Sequence, residues 1–238
     1  MSKSKVLVIL ALLLFVLSVS FQYRDEGAIA TDLKSAILPI VTLFYFITVK
    51  KKSLFFTVFL LLFSFSELMV FIRPYVSYNL DYFLGNSLYI LAYSFLIIEI
   101  SKSISLYHVL RNYKIHLLVL TILNIYIIHV LQTIVDPFVE KSNEYYVELI
   151  YNIVMLLLLS VALVNYFYKD NVKALYLFIG ALCIVFAEVI WVAYTYISER
   201  HLLQMVSTSL YVLAYYFFYK QSKIEQEFKQ EEVDMLIN

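Results

Sequence analysis

SLFFTVFLLLFSFSELMVFI, residues 53–72, decides the fold, because its single ionisable group is Glu67 and everything else is apolar or a small hydroxyl. As a helix rising about 1.5 Å per residue, such a stretch reaches about 30 Å, the thickness of bilayer hydrocarbon. The run is apolar without interruption and lacks the period-2 alternation of a barrel strand. In lipid a helix satisfies its own backbone hydrogen bonds, so a helical span is the expected form.

Working outward, seven further runs read the same way: residues 6–22, 35–49, 82–100, 115–135, 146–168, 174–197 and 202–219. The expected fold is therefore all-α, a polytopic transmembrane bundle of about eight helices. Residues 1–219 form one membrane domain, and 220–238, KQSKIEQEFKQEEVDMLIN, form a polar tail that continues the last helix and frays. Composition agrees. The chain is 63% hydrophobic and 15% charged, against roughly 45–50% and about 25% in soluble domains. Its mean hydropathy is +0.83. With no net charge there is no overall attraction to nucleic acid. The one cysteine, Cys183, lies in an apolar run and reads as a small buried side chain. With only 3 Gly and 3 Pro there is little sign of the broken helices that often mark transporter sites.

The connections set the orientation. Lys3, Lys5, Lys50, Lys51, Lys52, Lys102, Arg111, Lys114, Lys169, Lys173, Lys220, Lys223 and Lys229 fall on one side of eight alternating spans. Arg24, Lys34, Arg73, Lys141 and Arg200 fall on the other. Basic residues near span ends favour the cytoplasm, which places both termini inside and the bundle in a cytoplasmic membrane. The basic, apolar start MSKSKVLVILALLLFVLSVS has the form of a secretory signal. We read it as a retained helix; cleavage would leave the remaining topology unchanged.

No Gly-rich phosphate loop, nucleophile elbow or HExxH helix occurs. The chemistry rests on ionisable groups within the spans, which are costly in hydrocarbon and usually face a polar interior. Glu67 lies deep in the third span and Glu188 near the middle of the seventh. Two such acids on different helices suggest one shared polar cavity. A carboxyl withdrawn from water holds its proton more readily, which suits general-acid work. His129 shares a helical face with Gln132 and Asp136 and reads as a satisfied structural histidine. Glu99 and Glu148 lie near span ends, within reach of interfacial water. Tyr75, Tyr78, Tyr82, Tyr145, Tyr146, Tyr168, Tyr196 and Tyr219 cluster near span ends, as an interfacial belt does.

Around the two glutamates the chain resembles the YhhN family of membrane proteins, over roughly residues 30–218. FSFSELMVF resembles the family's third-helix run, with Glu67 at the acid position, and GALCIVFAEVIW resembles the seventh-helix run, with Glu188 there. DLKSAILPIV keeps the Lys of an early Lys-Pro pair as Lys34, with Ser35 in place of the proline. SLYVLAYYF keeps Tyr211 and Ala214 but has Tyr215 for a Gln; Tyr93 falls near a family histidine, and Tyr151 fits the sixth span loosely. The resemblance implies eight helices with cytoplasmic ends. It also implies a lysoplasmalogenase-type hydrolase that opens the vinyl-ether bond of a lysophospholipid, with no cofactor and no metal. On that reading Glu67 and Glu188 are catalytic, and Lys34, Tyr93, Tyr151 and Tyr211 contact substrate. Each acid is one methylene longer than the family's aspartate, and a misplacement of about 1 Å can cost about 100-fold in rate. The alternative is a non-catalytic lipid-binding, sensory or scaffold protein of the same fold, with membrane lipid as its partner.

Overall fold

A computed structural model describes residues 3–139 and 143–237, with side chains described for 5–139 and 143–224. Lys141, counted above for topology, lies outside the described residues. The helices are α1 (Lys3–Tyr23), α2 (Gly27–Ser35), α3 (Ile37–Thr48), α4 (Leu54–Ile72), α5 (Tyr78–Ser101), α6 (Leu106–Asn112), α7 (Lys114–Val135), α8 (Asn143–Lys169), α9 (Val172–Tyr196) and α10 (His201–Ile237). A 3-10 turn, Arg73–Tyr75, follows α4, and no strand occurs among the described residues. Eight spans are long and apolar enough to cross a bilayer, with α2 and α3 together making the second. The protein is a multi-pass membrane protein with an all-α bundle fold. An even number of crossings brings Lys3 and the end of the eighth span to the same face.

The second span differs from expectation. It runs Gly27–Thr48 rather than from residue 35, and Lys34 lies inside it rather than in a loop. Asp32 and Lys34 ended the apolar run in the sequence, yet one helical turn of polar residues is tolerated where it faces a cavity instead of lipid. This span is also broken, despite the scarcity of proline. Pro39 has no N–H to give the Ser35 carbonyl, and its ring crowds that carbonyl. The ladder resumes with the Ile40 N–H on the Ala36 carbonyl at 3.4 Å. The bend falls between α2 and α3, directly after Lys34 and Ser35. Further on, residues 106–112 fold as the short helix α6 where a plain connection was expected, and α10 continues through the polar tail.

The packing centre lies among α4, α5, α8, α9 and α10, where Phe59, Phe63, Tyr93, Leu96, Leu158, Ile184, Ala187, Ala214 and Phe218 are buried. Small residues let α9 and α10 approach closely. A Cβ on Gly180 would lie 2.7 Å from Cδ1 of Phe218. Interhelical hydrogen bonds add specificity: Thr42 with Ser64 at 2.8 Å, Asn152 to Gln132 at 3.0 Å and Asn124 to Ser160 at 2.8 Å. Bonds of this kind average about 0.6 kcal/mol in a bilayer. The periphery is apolar, with Ile115, Leu118, Ile122 and Ile125 of α7 exposed as lipid-facing residues are.

Candidate functional site

A cavity of about 280 Å³ opens at the end of the bundle opposite the termini, between α2, α4, α5, α8, α9 and α10. Each helix contributes residues at helical spacing. From α2 come Thr31, Lys34 and Ser35; from α4, Ser66, Glu67 and Val70; from α5, Tyr82, Asn86 and Tyr89; from α8, Glu148 and Tyr151; from α9, Glu188, Trp191 and Thr195; from α10, Tyr211.

Glu67 and Glu188 both line this cavity and are buried, 5% and 7% exposed. Phenols hold both acids in place. Tyr89 donates to Oε1 of Glu67 at 3.1 Å, and Tyr93 donates to Oε1 of Glu188 at 2.9 Å. The Ser35 hydroxyl faces Glu67, and the Tyr151 hydroxyl lies beside Glu188. Lys34 reaches in from the last turn of α2. Its Nζ sits 4.2 Å from the Tyr211 ring centre and 4.7 Å from that of Trp191, within the electrostatic field of Glu67. At the break between α2 and α3, α2 presents Lys34 and Ser35 to the cavity while α3 packs on α4.

Of the substrate contacts expected from sequence, Lys34, Tyr151 and Tyr211 line the cavity. Tyr93 does not. It is fully buried behind Glu188, so it positions that carboxyl rather than meeting a ligand. His129 is a second correction. It is exposed on α7 while Gln132 is buried against Asn152, so the shared face does not make a polar cluster.

Four residues carry more than the sequence suggested. Glu148 lines the cavity mouth and accepts the Tyr82 hydroxyl at 2.8 Å. Tyr82 and Tyr196, which read as belt residues, line the same mouth, as does Trp191, the only tryptophan. The overlooked signal was the spacing Tyr82, Asn86, Tyr89, Tyr93, a polar stripe along one face of α5. At the rim Arg73 is neutralised by Asp81 at 2.8 Å.

Below the acids the bundle is closed by rings. Phe63 contacts Tyr89 and Tyr93, Phe59 contacts Phe63 and Phe218, and Phe56 contacts Phe59, all at ring-centre distances of 4.9–5.8 Å. Among the described residues no group of three or more His, Cys, Asp or Glu is arranged to hold a metal ion.

No family model matches the chain, and neither a curated protein nor a solved structure is found similar to it. The class of protein that fold and site define is therefore a multi-pass helical membrane protein with a polar, acid-lined cavity that reaches into the apolar depth of the bundle.

Proposed function

We propose that this protein is a membrane-embedded hydrolase that cleaves the vinyl-ether bond of a lysophospholipid by acid-base catalysis, as the resemblance to the YhhN family implies. One observation carries the reading: Glu67 and Glu188, from different helices, face one cavity, each fixed by a tyrosine hydroxyl, with Lys34 beside them. The basic face holding both termini belongs to the cytoplasm by the positive-inside rule. The cavity mouth then opens to the extracytoplasmic side.

The chemistry needs two carboxyls in different protonation states. A vinyl ether resists base but accepts a proton at its outer alkene carbon. The protonated member of the pair gives that proton, the alkene electron pair forms the new C–H bond, and the carbon next to the ether oxygen becomes an oxocarbenium ion. The ionised member takes a proton from water as the water oxygen attacks that carbon. The resulting hemiacetal gives its hydroxyl proton back to the carboxylate that acted first as its bond to the glycerol oxygen breaks, that oxygen takes the proton held by the second carboxyl, and an aldehyde leaves with both acids restored. Lys34, supported on the Trp191 and Tyr211 rings, supplies positive charge for the phosphate. Support from aromatic faces keeps that ammonium oriented without tying it to a carboxylate.

The test is aldehyde release from a 1-alkenyl lysophospholipid by purified protein. Glu67→Gln and Glu188→Gln are each expected to lower turnover by about 100-fold or more, the range of general acid-base contributions. Full activity in both variants refutes the reading.

A further inference from the structure

A second hollow, about 250 Å³ and almost wholly apolar, lies toward the end of the bundle that holds the termini, away from the acids. Leu7 and Ala11 of α1, Ile40 and Phe44 of α3, and Tyr215 and Tyr219 of α10 line it. Along α10 it runs from Val212 to Tyr219, about 10 Å of helix, which fits within the roughly 15 Å of hydrocarbon in one leaflet. By the positive-inside rule that leaflet is the cytoplasmic one. The groove flanks the most loosely packed span: only 11% of the α1 span is buried. Walls that face a void forfeit their dispersion contacts, so an occupant would join α1 to α10. The watery end of the groove is basic. Lys220 Nζ lies 5.8 Å from the ring centre of Tyr216 and Lys223 Nζ lies 5.7 Å from that of Tyr219, and both rings line the groove. Lys5 is exposed on α1, two residues before Leu7. These lysines come before the acidic stretch of the tail, which begins at Glu225. An apolar channel capped by ammonium groups on the cytoplasmic side of a bundle has the chemistry of an anionic-lipid site.

We propose that the groove between α1, α3 and α10 seats one anionic phospholipid of the cytoplasmic leaflet, with an acyl chain along the groove and its headgroup at Lys5, Lys220 and Lys223. The selectivity follows from the charges. A zwitterionic headgroup brings an ammonium toward three lysines, whereas an anionic one keeps a net negative charge there. A second copy of the chain is the poorer occupant, because a twofold contact through this face would set the same lysines against one another. The bound lipid completes the contact between α1 and α10 and so stabilises the bundle. The site is remote from Glu67 and Glu188, and it stands whether or not the protein is a hydrolase.

The full chain in detergent is titrated with dioleoylphosphatidylglycerol, with dioleoylphosphatidylcholine and with inorganic phosphate. Native mass spectrometry counts bound lipid and copies of the chain, and thermal unfolding reads stabilisation. The wild type is expected to hold one phosphatidylglycerol about 20-fold or more tightly than phosphatidylcholine and to melt at a higher temperature with it; inorganic phosphate alone should give no shift. A lysine near a phosphate contributes about fivefold in affinity, so Lys220→Gln with Lys223→Gln should weaken phosphatidylglycerol binding by about 25-fold and leave phosphatidylcholine unchanged. Ala11→Phe, which fills the groove, should abolish retention of either lipid while the lysines remain. Equal retention of the two lipids by the wild type, or an undiminished preference in the double lysine variant, overturns the site. So does undiminished retention in Ala11→Phe, or a shift with inorganic phosphate equal to that with the lipid. A lipid-free dimer that Ala11→Phe separates gives the groove to a second copy and overturns it as well.

Discussion

Gly180→Ala tests whether the closest helix approach in the bundle holds the site in register. The added methyl carbon would fall 2.7 Å from both Cδ1 and Cε1 of Phe218. Ordinary contact between carbons begins about 3.5 Å apart, so ring or helix must yield by about 0.8 Å. The ring cannot swing away easily, since Phe218 is 1% exposed and packs edge-on to Phe59 at 5.4 Å. Overpacking of this kind costs about 1–3 kcal/mol. Replacing a helical glycine with alanine returns up to about 1 kcal/mol. The expected net loss is thus on the order of 1–2 kcal/mol. Glu188 follows Gly180 by two helical turns on α9, and Tyr211 precedes Phe218 by two on α10, so separation of the two helices also widens the cavity. Displacement approaching 1 Å predicts a fall in turnover toward 100-fold. Thermal unfolding in detergent, together with turnover in nanodiscs, reads both effects. Phe218→Leu in the Gly180→Ala background removes the clashing ring atoms and should recover part of each. If Gly180→Ala melts at or above the wild-type temperature with turnover intact, the close approach does not set the register and the reasoning fails.

Tyr93→Phe should lower turnover by about 10- to 100-fold without weakening substrate binding, because a hydrogen bond to a charged group contributes about 1.5–3 kcal/mol and Tyr93 reaches the site through Glu188 and Tyr151 without lining the cavity; separate kcat and KM values check this, and a pure rise in KM contradicts it. Tyr89→Phe should act the same way through Glu67, bonded at 3.1 Å. Pro39→Ala gives the Ser35 carbonyl a donor and straightens the α2–α3 bend, so thermal stability should hold or rise while ligand-induced change in Trp191 fluorescence falls; unchanged fluorescence titration would show that the bend does not place Lys34. Lys34→Met keeps the aliphatic packing on Trp191 and Tyr211 but removes the charge, and should weaken binding of a phosphate-bearing lysolipid by about tenfold with stability changed by less than about 1 kcal/mol.

Seven of the spans were legible because lipid demands long apolar runs, and SLFFTVFLLLFSFSELMVFI leaves no other way to satisfy its backbone. The second was misjudged for the same physical reason. Asp32 and Lys34 look like a boundary to any hydropathy reading, and only the three-dimensional cavity makes them tolerable inside a span. Glu67 and Glu188 stood out because an isolated acid in an apolar run has few explanations. A shared cavity was suggested by the pair, but their meeting could not be fixed, since sequence sets each helical face and not the rotation of one helix against another. Tyr82 and Tyr196 were hidden by their position: at a span end an interfacial tyrosine and a cavity tyrosine have the same neighbours in sequence. Tyr93 could be placed on the right face of α5 but not at the right depth, so its role behind Glu188 emerged only from packing.

The layer of Phe56, Phe59, Phe63 and Phe218 beneath the acids acts as an electrical septum. These four rings carry no oxygen or nitrogen through which a proton could hop and are at most 3% exposed, with Tyr45 and Tyr215 packed beside them. Carboxyls such as Glu67 and Glu188 inside a membrane protein could otherwise leak protons down the transmembrane gradient. A septum of this kind predicts exchange with one compartment alone, so that the acidity governing the cavity is that of the solution at its mouth. In sealed vesicles, changing the pH on the far side should leave the cavity's behaviour untouched.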